Sequence, residues 1–268
     1  MIQFEITNSE FSLFQAFIYD RAGINLGDEK QTLVTSRLGK RLRHYSLSSF
    51  KEYFDLVIAS PKDGEQLVAV DLLTTNETYF FREPKHFAFL EDEILINWKG
   101  GQRLRVWSAA SSTGEEAYSI AMLLDDKLGN SSWEIFGSDI SSRVLKTARQ
   151  GHYQQSRIDG IPRAYLQKYC LKGVGEHEGT LLIDKALRQK VSFASINLIQ
   201  PLGAIDPFDI IFLRNVLIYF DFETKQKIIK QLVEKLKPGG YLFIGHSESL
   251  KGIYDDLENV SPTVYRKL

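Results

Sequence analysis

The period of the apolar positions changes partway along the chain. Up to about residue 73 it is helical. Phe11, Phe14, Phe17 and Ile18 recur on one face, after Thr7 and Glu10 at the spacing of a capping box. A turn at Gly23 and Gly27 leads to a second amphipathic segment, with Leu33, Val34, Leu38 and Leu42 expected inward and Arg37, Lys40, Arg41 and Arg43 outward. A third helix is predicted from Ser48 or Ser49, carrying Tyr53, Phe54, Val57 and Ile58, and a fourth from Glu65 to Leu73. Short helices with close connections predict an N-terminal all-α domain over residues 1–73.

From residue 74 to 268 short apolar runs alternate with helical segments. Leu104–Trp107, Trp133–Phe136 and Asp209–Leu213 read as strands, the last covered on both faces, and Tyr241–Ile244 and Thr263–Arg266 follow. Helices are predicted from Pro84, over Glu115–Leu124, through Val144 and Leu145, and through Ile228–Leu236, where Lys237-Pro238-Gly239-Gly240 is expected to stop the chain turning. This alternation predicts an α/β fold built on a doubly wound, mostly parallel sheet. Roughly fifty residues separate the helix after Asp139 from the strand near Val191, more than a crossover needs, and an insertion is expected over about residues 155–190. The turn residues Gly173–Gly179 before the strand-like Thr180–Ile183 predict a small inserted antiparallel β-subdomain there.

Composition narrows the function. With 43% hydrophobic and 25% charged residues, the 268-residue chain can bury a full core. A net charge of −1 gives no general attraction to nucleic acid or to an anionic membrane. The lone cysteine, Cys170, expected to pack in an apolar helix, builds no disulfide framework, and no Cys/His set has zinc-ligand spacing, so no metal is expected. His246 and His177 read as local hydrogen-bonding residues. The start Met1-Ile2-Gln3-Phe4-Glu5 lacks the features of a signal peptide, and no apolar run reaches the ~20 residues of a membrane span. A cytoplasmic protein follows; a monomer is expected, although nothing in the composition fixes the oligomeric state.

Candidate chemistry collects where strands end. Ser108–Glu116 places small residues between a strand and a helix, the geometry that lets a ligand approach backbone N–H groups. It has a single glycine, Gly114, and Glu115 and Glu116 would repel a pyrophosphate. The pair suits a cationic ligand, or it simply complements the helix dipole. Asp139 closes the second strand, where a carboxylate would meet ribose hydroxyls or cap the next helix. In Thr74–Arg82, Asn76 and Thr78 offer hydrogen bonds, Phe80 and Phe81 an apolar wall, and Arg82 a cation. Leu213 ends the central strand and Arg214, Asn215 and Tyr219 follow it, and Asn197 and Leu198 follow the strand near Val191.

The blocks Thr-Asn-Glu-Thr-Tyr-Phe-Phe-Arg, Ser-Thr-Gly-Glu-Glu-Ala-Tyr-Ser, Arg-Asn-Val-Leu-Ile-Tyr-Phe and Gly-His-Ser-Glu-Ser, in this order across nearly the whole chain, resemble the CheR chemotaxis receptor methyltransferases. Ala117 stands where that family often has proline. The resemblance implies an S-adenosylmethionine-dependent methyltransferase fold. It also implies methyl transfer from S-adenosylmethionine to receptor glutamates, leaving S-adenosylhomocysteine. Asn76, Thr78, Arg82, Glu116, Asp139, Asn197, Leu198, Leu213, Arg214 and Asn215 would bind the cofactor. Asp139 would take the ribose, Glu116 the methionine amino end, and Asn197 and Leu198 the adenine. Arg82 and Tyr219 would stand nearest the methyl group as positioning residues, with no general base. The resemblance further implies receptor docking by the helical domain, at Arg37, Lys40, Arg41 and Arg43, and a tether for the receptor's C-terminal pentapeptide at Gly173 and Gly175. The alternative is a non-catalytic module that binds S-adenosylmethionine and docks on receptors.

Overall fold

A computed structural model of the chain describes residues 4–62, 64–98, 100–129 and 131–268. The chain divides into two compact units. One contains the chain up to Thr75 together with Tyr219–Thr224, and the other contains Asn76–Ile218 and Lys225–Leu268.

The first unit is helical: α1 (Asn8–Ala22), α2 (Gln31–Tyr45), α3 (Phe50–Ala59) and α4 (Glu65–Leu73). The capping box is present, with Glu10 N–H donating to Thr7 Oγ1 at 3.2 Å and Thr7 N–H to Glu10 Oε2 at 2.9 Å. Gly23, at φ 69°, ends α1 in the left-handed conformation glycine tolerates best. Phe14 packs at the centre of this unit, stacked on Tyr53 and edge-on to Phe50 and Phe54. The Tyr219–Thr224 segment joins it through the Asn25 amide on the Tyr219 carbonyl and the Tyr19 hydroxyl on Asp221.

Two expectations for these helices are corrected. Ile58 is exposed. Arg37 and Arg41 do not face out. Arg37 Nη1 donates to the carbonyls of Leu72, Leu73 and Thr74, while Arg41 grips Glu65 with Nε and Nη2, both at 2.7 Å. The cause is α4, whose carbonyl end and buried Glu65 need cationic donors. Lys40 and Arg43 are exposed, as expected.

The second unit runs α5 (Pro84–Phe89, continuing as a π-helical turn over Leu90–Leu95), β1 (Leu104–Ala109), α6 (Glu115–Leu128), β2 (Trp133–Asp139), α7 (Ser142–Gln150), β3 (His152–Gln154), α8 (Arg163–Tyr169), β4 (Cys170–Lys172), β5 (Thr180–Ile183), α9 (Lys185–Arg188), β6 (Val191–Ser195), β7 (Phe208–Leu213), α10 (Phe222–Glu234, in this unit from Lys225), β8 (Leu236–Ile244), β9 (Leu257–Ser261) and β10 (Val264–Lys267). Among the described residues the main sheet has seven strands, ordered β6-β2-β1-β7-β8-β10-β9. All pairs from β6 to β8 are parallel, whereas β10 is antiparallel to both its neighbours. The chain winds outward from β1 through β2 to β6, then returns to the other side of β1 with β7. The switch point therefore lies between β1 and β7, the crevice where open α/β sheets take ligands. Buried Trp107 locks β1 to β2 by donating from Nε1 to Ser138 Oγ at 2.9 Å.

A three-stranded antiparallel sheet, β3-β5-β4, forms the insertion. Cys170 is the first residue of β4, not helical as expected, because α8 stops at Tyr169. Burial raises its thiol to about 12, which leaves it unreactive. The Lys237–Gly240 run lies inside β8 instead of before it, and its register against β7 shifts between Phe208 and Ile210. Phe80 is fully buried, edge-on to Tyr153, so it belongs to the core and not to a binding wall.

Candidate functional site

Three chain segments meet the carboxyl edge of β1, β2 and β7. The first turns from β1 into α6. Ala110 (φ 69°), Ser112 (φ 50°) and Gly114 (φ 95°) are all left-handed, and two of them are not glycine. Such residues cost about 1–3 kcal/mol each and persist where neighbours over-determine them. Here Asp139 does so: Oδ2 accepts from the Ser112 amide and Oδ1 from the Ser141 amide, each at 2.9 Å. Ser141, not Asp139, caps α7. Ser112 Oγ in turn donates to the Asn76 carbonyl at 3.0 Å, which brings the second segment to the same edge.

The two glutamates at the start of α6 separate. Glu115 is wholly buried, accepting from Thr113 Oγ1 at 2.6 Å and paired with Arg157 Nη2 at 2.7 Å. It therefore does not serve a ligand jointly with Glu116, because one residue rotates a helical side chain to another face. Arg157, which the sequence did not single out, also donates to the Thr78 carbonyl at 3.1 Å and so ties the insertion to this edge. Glu116 accepts from Ser108 Oγ at 2.7 Å and from Arg214 Nη1 at 3.1 Å, with 13% of its side chain exposed. Burial raises the Glu116 carboxyl, against the pull of Arg214 and Ser108.

The third segment follows β7. Arg214 is buried and lies between two carboxylates, Glu116 on one side and Glu83 at 3.0 Å on the other, and it also donates to the Arg82 carbonyl. Glu83 further accepts from Asn215 Nδ2 at 3.0 Å and from the His246 amide at 3.1 Å. Burial opposes its charge, but Asn215, Arg214 and the His246 amide hold its carboxyl at about 2. Glu248 gathers the amides of Gly245, Asn215 and Ile218 and anchors the loop after β8. Asn215 (φ 57°) and Glu83 (φ 60°) are again left-handed.

Among the described residues, one group has metal-ligand spacing: Glu83, His86 and His246, with candidate ligand atoms within 4.8 Å of one another. Burial and the nearby Arg214 push His86 down to about 3, so it is neutral. The Glu83 oxygens are already engaged by Arg214, Asn215 and the His246 amide, so the group is an anion bound by donors.

Most expected site residues therefore share one edge. Asn76, Glu116, Asp139, Arg214 and Asn215 are joined through the bonds above, and buried Leu213 precedes them on β7. Thr78 meets Arg157 through its carbonyl, and Arg82 Nη1 donates to the Glu77 carbonyl at 2.9 Å. Asn197 and Leu198 follow β6, where Asn197 Oδ1 accepts from the Ile199 amide and the Leu198 carbonyl from Gln231. Tyr219 belongs to the helical unit. Ser108 and Glu248 lie in blocks the sequence singled out but had no role assigned, and Glu83 was not singled out.

The residues fit a nucleoside ligand with a cationic end. A carboxylate stands at the close of β2 and another at the start of α6, and Ser111 Oγ is buried with no hydrogen-bond partner among the described residues. With the sheet order and its switch point, this defines an S-adenosylmethionine-dependent methyltransferase. Residues 76–266 match the CheR methyltransferase SAM binding domain, and residues 9–74 match the CheR methyltransferase all-alpha domain. The chain belongs to the CheR methyltransferase family. It is 42% identical over 263 residues to a chemotaxis protein methyltransferase of Escherichia coli (strain K12), covering 97% of this chain and 91% of that one. It is 41% identical over 266 residues to chemotaxis protein methyltransferase 2 of Pseudomonas aeruginosa, covering 98% and 94%. A chemotaxis protein methyltransferase of Borreliella burgdorferi is 35% identical over 278 residues, covering 99% and 96%.

Proposed function

We propose that this methyltransferase esterifies glutamate side chains of methyl-accepting chemotaxis receptors. The observation that carries the cofactor reading is the Glu116 carboxylate, fixed by Ser108 and Arg214 at the switch point of the sheet. The names of the relatives carry the receptor reading.

S-adenosylmethionine supplies an electrophilic methyl group on a cationic sulfur. Glu116 would receive its amino end, Asp139 the ribose, and Asn197 and Leu198 the adenine, with Asn76, Thr78, Arg82 and Leu213–Asn215 completing the contacts. A substrate glutamate has an unperturbed pKa of ~4.3, so it is already anionic at neutral pH and needs no general base. Its oxygen takes the methyl carbon as the carbon–sulfur bond breaks. The electron pair stays on sulfur, S-adenosylhomocysteine leaves, and no proton moves. Arg82 and Tyr219 are assigned to orientation and to exclusion of water, which speeds the neutralisation of an anion by a cation.

Docking is assigned to the helical unit, and its exposed cations Lys40 and Arg43 suit acidic receptor helices. The tether is assigned to the insertion, where β4 is an edge strand open to strand addition. Gly173 sits at the close approach of this loop, where a Cβ would lie 1.9 Å from the His177 carbonyl oxygen, and Gly175 is left-handed. Among the described residues no helix is long and apolar enough to cross a membrane. We assign the enzyme to the cytoplasm, acting as a monomer.

The test is transfer of tritiated methyl from S-adenosylmethionine to chemoreceptor-containing membranes, with base-labile label expected on the receptor. Absence of label, with cofactor binding intact, would leave a non-catalytic docking module.

A further inference from the structure

Glu83 occupies a position its backbone does not favour. It is left-handed at φ 60°, immediately before Pro84 opens α5, and its side chain makes no capping bond to that helix. The carboxylate turns away and collects Arg214 Nε and Nη2, Asn215 Nδ2 and the His246 amide at 3.0–3.2 Å. Arg214 spends its remaining nitrogen on Glu116 and also holds the Arg82 carbonyl. Two part-buried carboxylates thus share one guanidinium. The remaining groups facing them are Ser108 and His86, which are neutral, and His246, whose ring is half-exposed. The set carries one surplus negative charge, which a cationic ligand end completes.

We propose that Glu83 is a positioning residue for the amino end of the methyl donor, acting through Arg214 to set both the place and the charge of the Glu116 carboxylate. The proposal rests on the reading of Glu116 as the partner of that amino end. Without the Glu83 charge, Arg214 belongs to Glu116 alone. The surplus negative charge is gone, and Glu116 gives up its proton more readily.

The test is calorimetric titration of the full chain with S-adenosylhomocysteine, which keeps the amino end and does not react, across a range of pH. Wild-type binding should weaken as pH falls and Glu116 takes up its proton. Glu83→Gln should raise the plateau Kd by about tenfold or more, as for loss of one charge interaction. It should also move the acid limb to lower pH, while Glu83→Asp, which keeps the charge, leaves the acid limb where it is. A Glu83→Gln protein with Kd within twofold of wild type overturns the proposal. So does one whose Kd rises with the acid limb unmoved, since a merely structural defect would do that. Should Glu83→Gln not fold, Glu83→Asp decides: a Kd unchanged despite the shortened arm overturns it. If Glu116→Gln binds as wild type does, the reading of Glu116 fails, independently of Glu83.

Discussion

Arg214 donates to Glu116 across 3.1 Å with only 2% of its side chain exposed. The contact joins the end of β7 to the start of α6, and so bridges the two sides of the switch point. Its strength also sets what Glu116 can offer a cation.

Replacing Glu116 by Gln should leave the fold intact, because Arg214 keeps Glu83 and a neutral amide is easier to bury than a carboxylate. Affinity for S-adenosylhomocysteine should fall about ten- to a hundredfold, the worth of one hydrogen bond to a charged group. Calorimetric titration checks this against an unchanged thermal midpoint.

Burial raises the Glu116 carboxyl above its ordinary value, so the folded protein holds this proton more tightly than the unfolded chain does. The sign follows from linkage. The contribution of Glu116 to stability is most favourable below its unfolded pKa and declines as pH rises towards the folded value. A cationic ligand favours the ionised form instead, so at pH values low enough for Glu116 to be protonated in the free protein its binding should release a proton. Titrations in buffers of different ionisation enthalpy should show that release in wild type and its loss in Glu116→Gln.

The helical unit separates two roles that one basic stripe suggested. Glu65, 5% exposed in its side chain, depends on Arg41 and on the Tyr53 and Tyr45 hydroxyls. Arg41→Ala should therefore destabilise this unit by about 3–5 kcal/mol, as for a buried carboxylate stripped of its cation. Reversing Lys40 and Arg43 to glutamate should leave the melting temperature unchanged and slow receptor methylation, with turnover falling further at low salt. Unfolding curves and methylation rates measured on the same preparations check both.

What the sequence made legible was whatever repeats along the chain. The apolar run Asp209–Leu213 is a central strand because a strand covered on both faces has no polar side. The Thr7–Glu10 box and the hairpin loop at Gly173–Gly179 are local signals and appear where expected. Strand β9 was not legible, since of Leu257–Ser261 only Leu257 is buried, and β3 and β4 are three residues long. Nor could the inward turn of Arg37 and Arg41 be read, because the Leu72 carbonyl and the Glu65 carboxylate that draw them in lie 35 and 24 residues away on another helix. Glu83 shows the limit most clearly: its donors stand 131 to 163 residues further on. The Asn215 and His246 blocks were visible as motifs, but not the carboxylate that gathers them.

Gly245 is the place where the loop after β8 tolerates no side chain. A Cβ there would meet Asn215 Nδ2 at 2.5 Å, the Asn215 backbone nitrogen at 2.7 Å and Glu248 Oε2 at 2.9 Å. Gly245→Ala should cost about 1–3 kcal/mol of stability. By displacing Asn215 it should also weaken cofactor binding more than a distant substitution of equal stability cost. Denaturant midpoints paired with cofactor titration check it.

The central claim, methyl transfer to receptor carboxylates at this site, is tested most directly by locating the methyl group. Receptor membranes incubated with the enzyme and S-adenosylmethionine should yield peptides bearing methyl esters on glutamate side chains of the cytoplasmic helices. Those esters should form about tenfold or more slowly with Glu116→Gln at donor concentrations near the wild-type Kd. Methyl groups on lysine, arginine or a nucleic acid, or none at all from an enzyme that binds S-adenosylhomocysteine, would contradict the account.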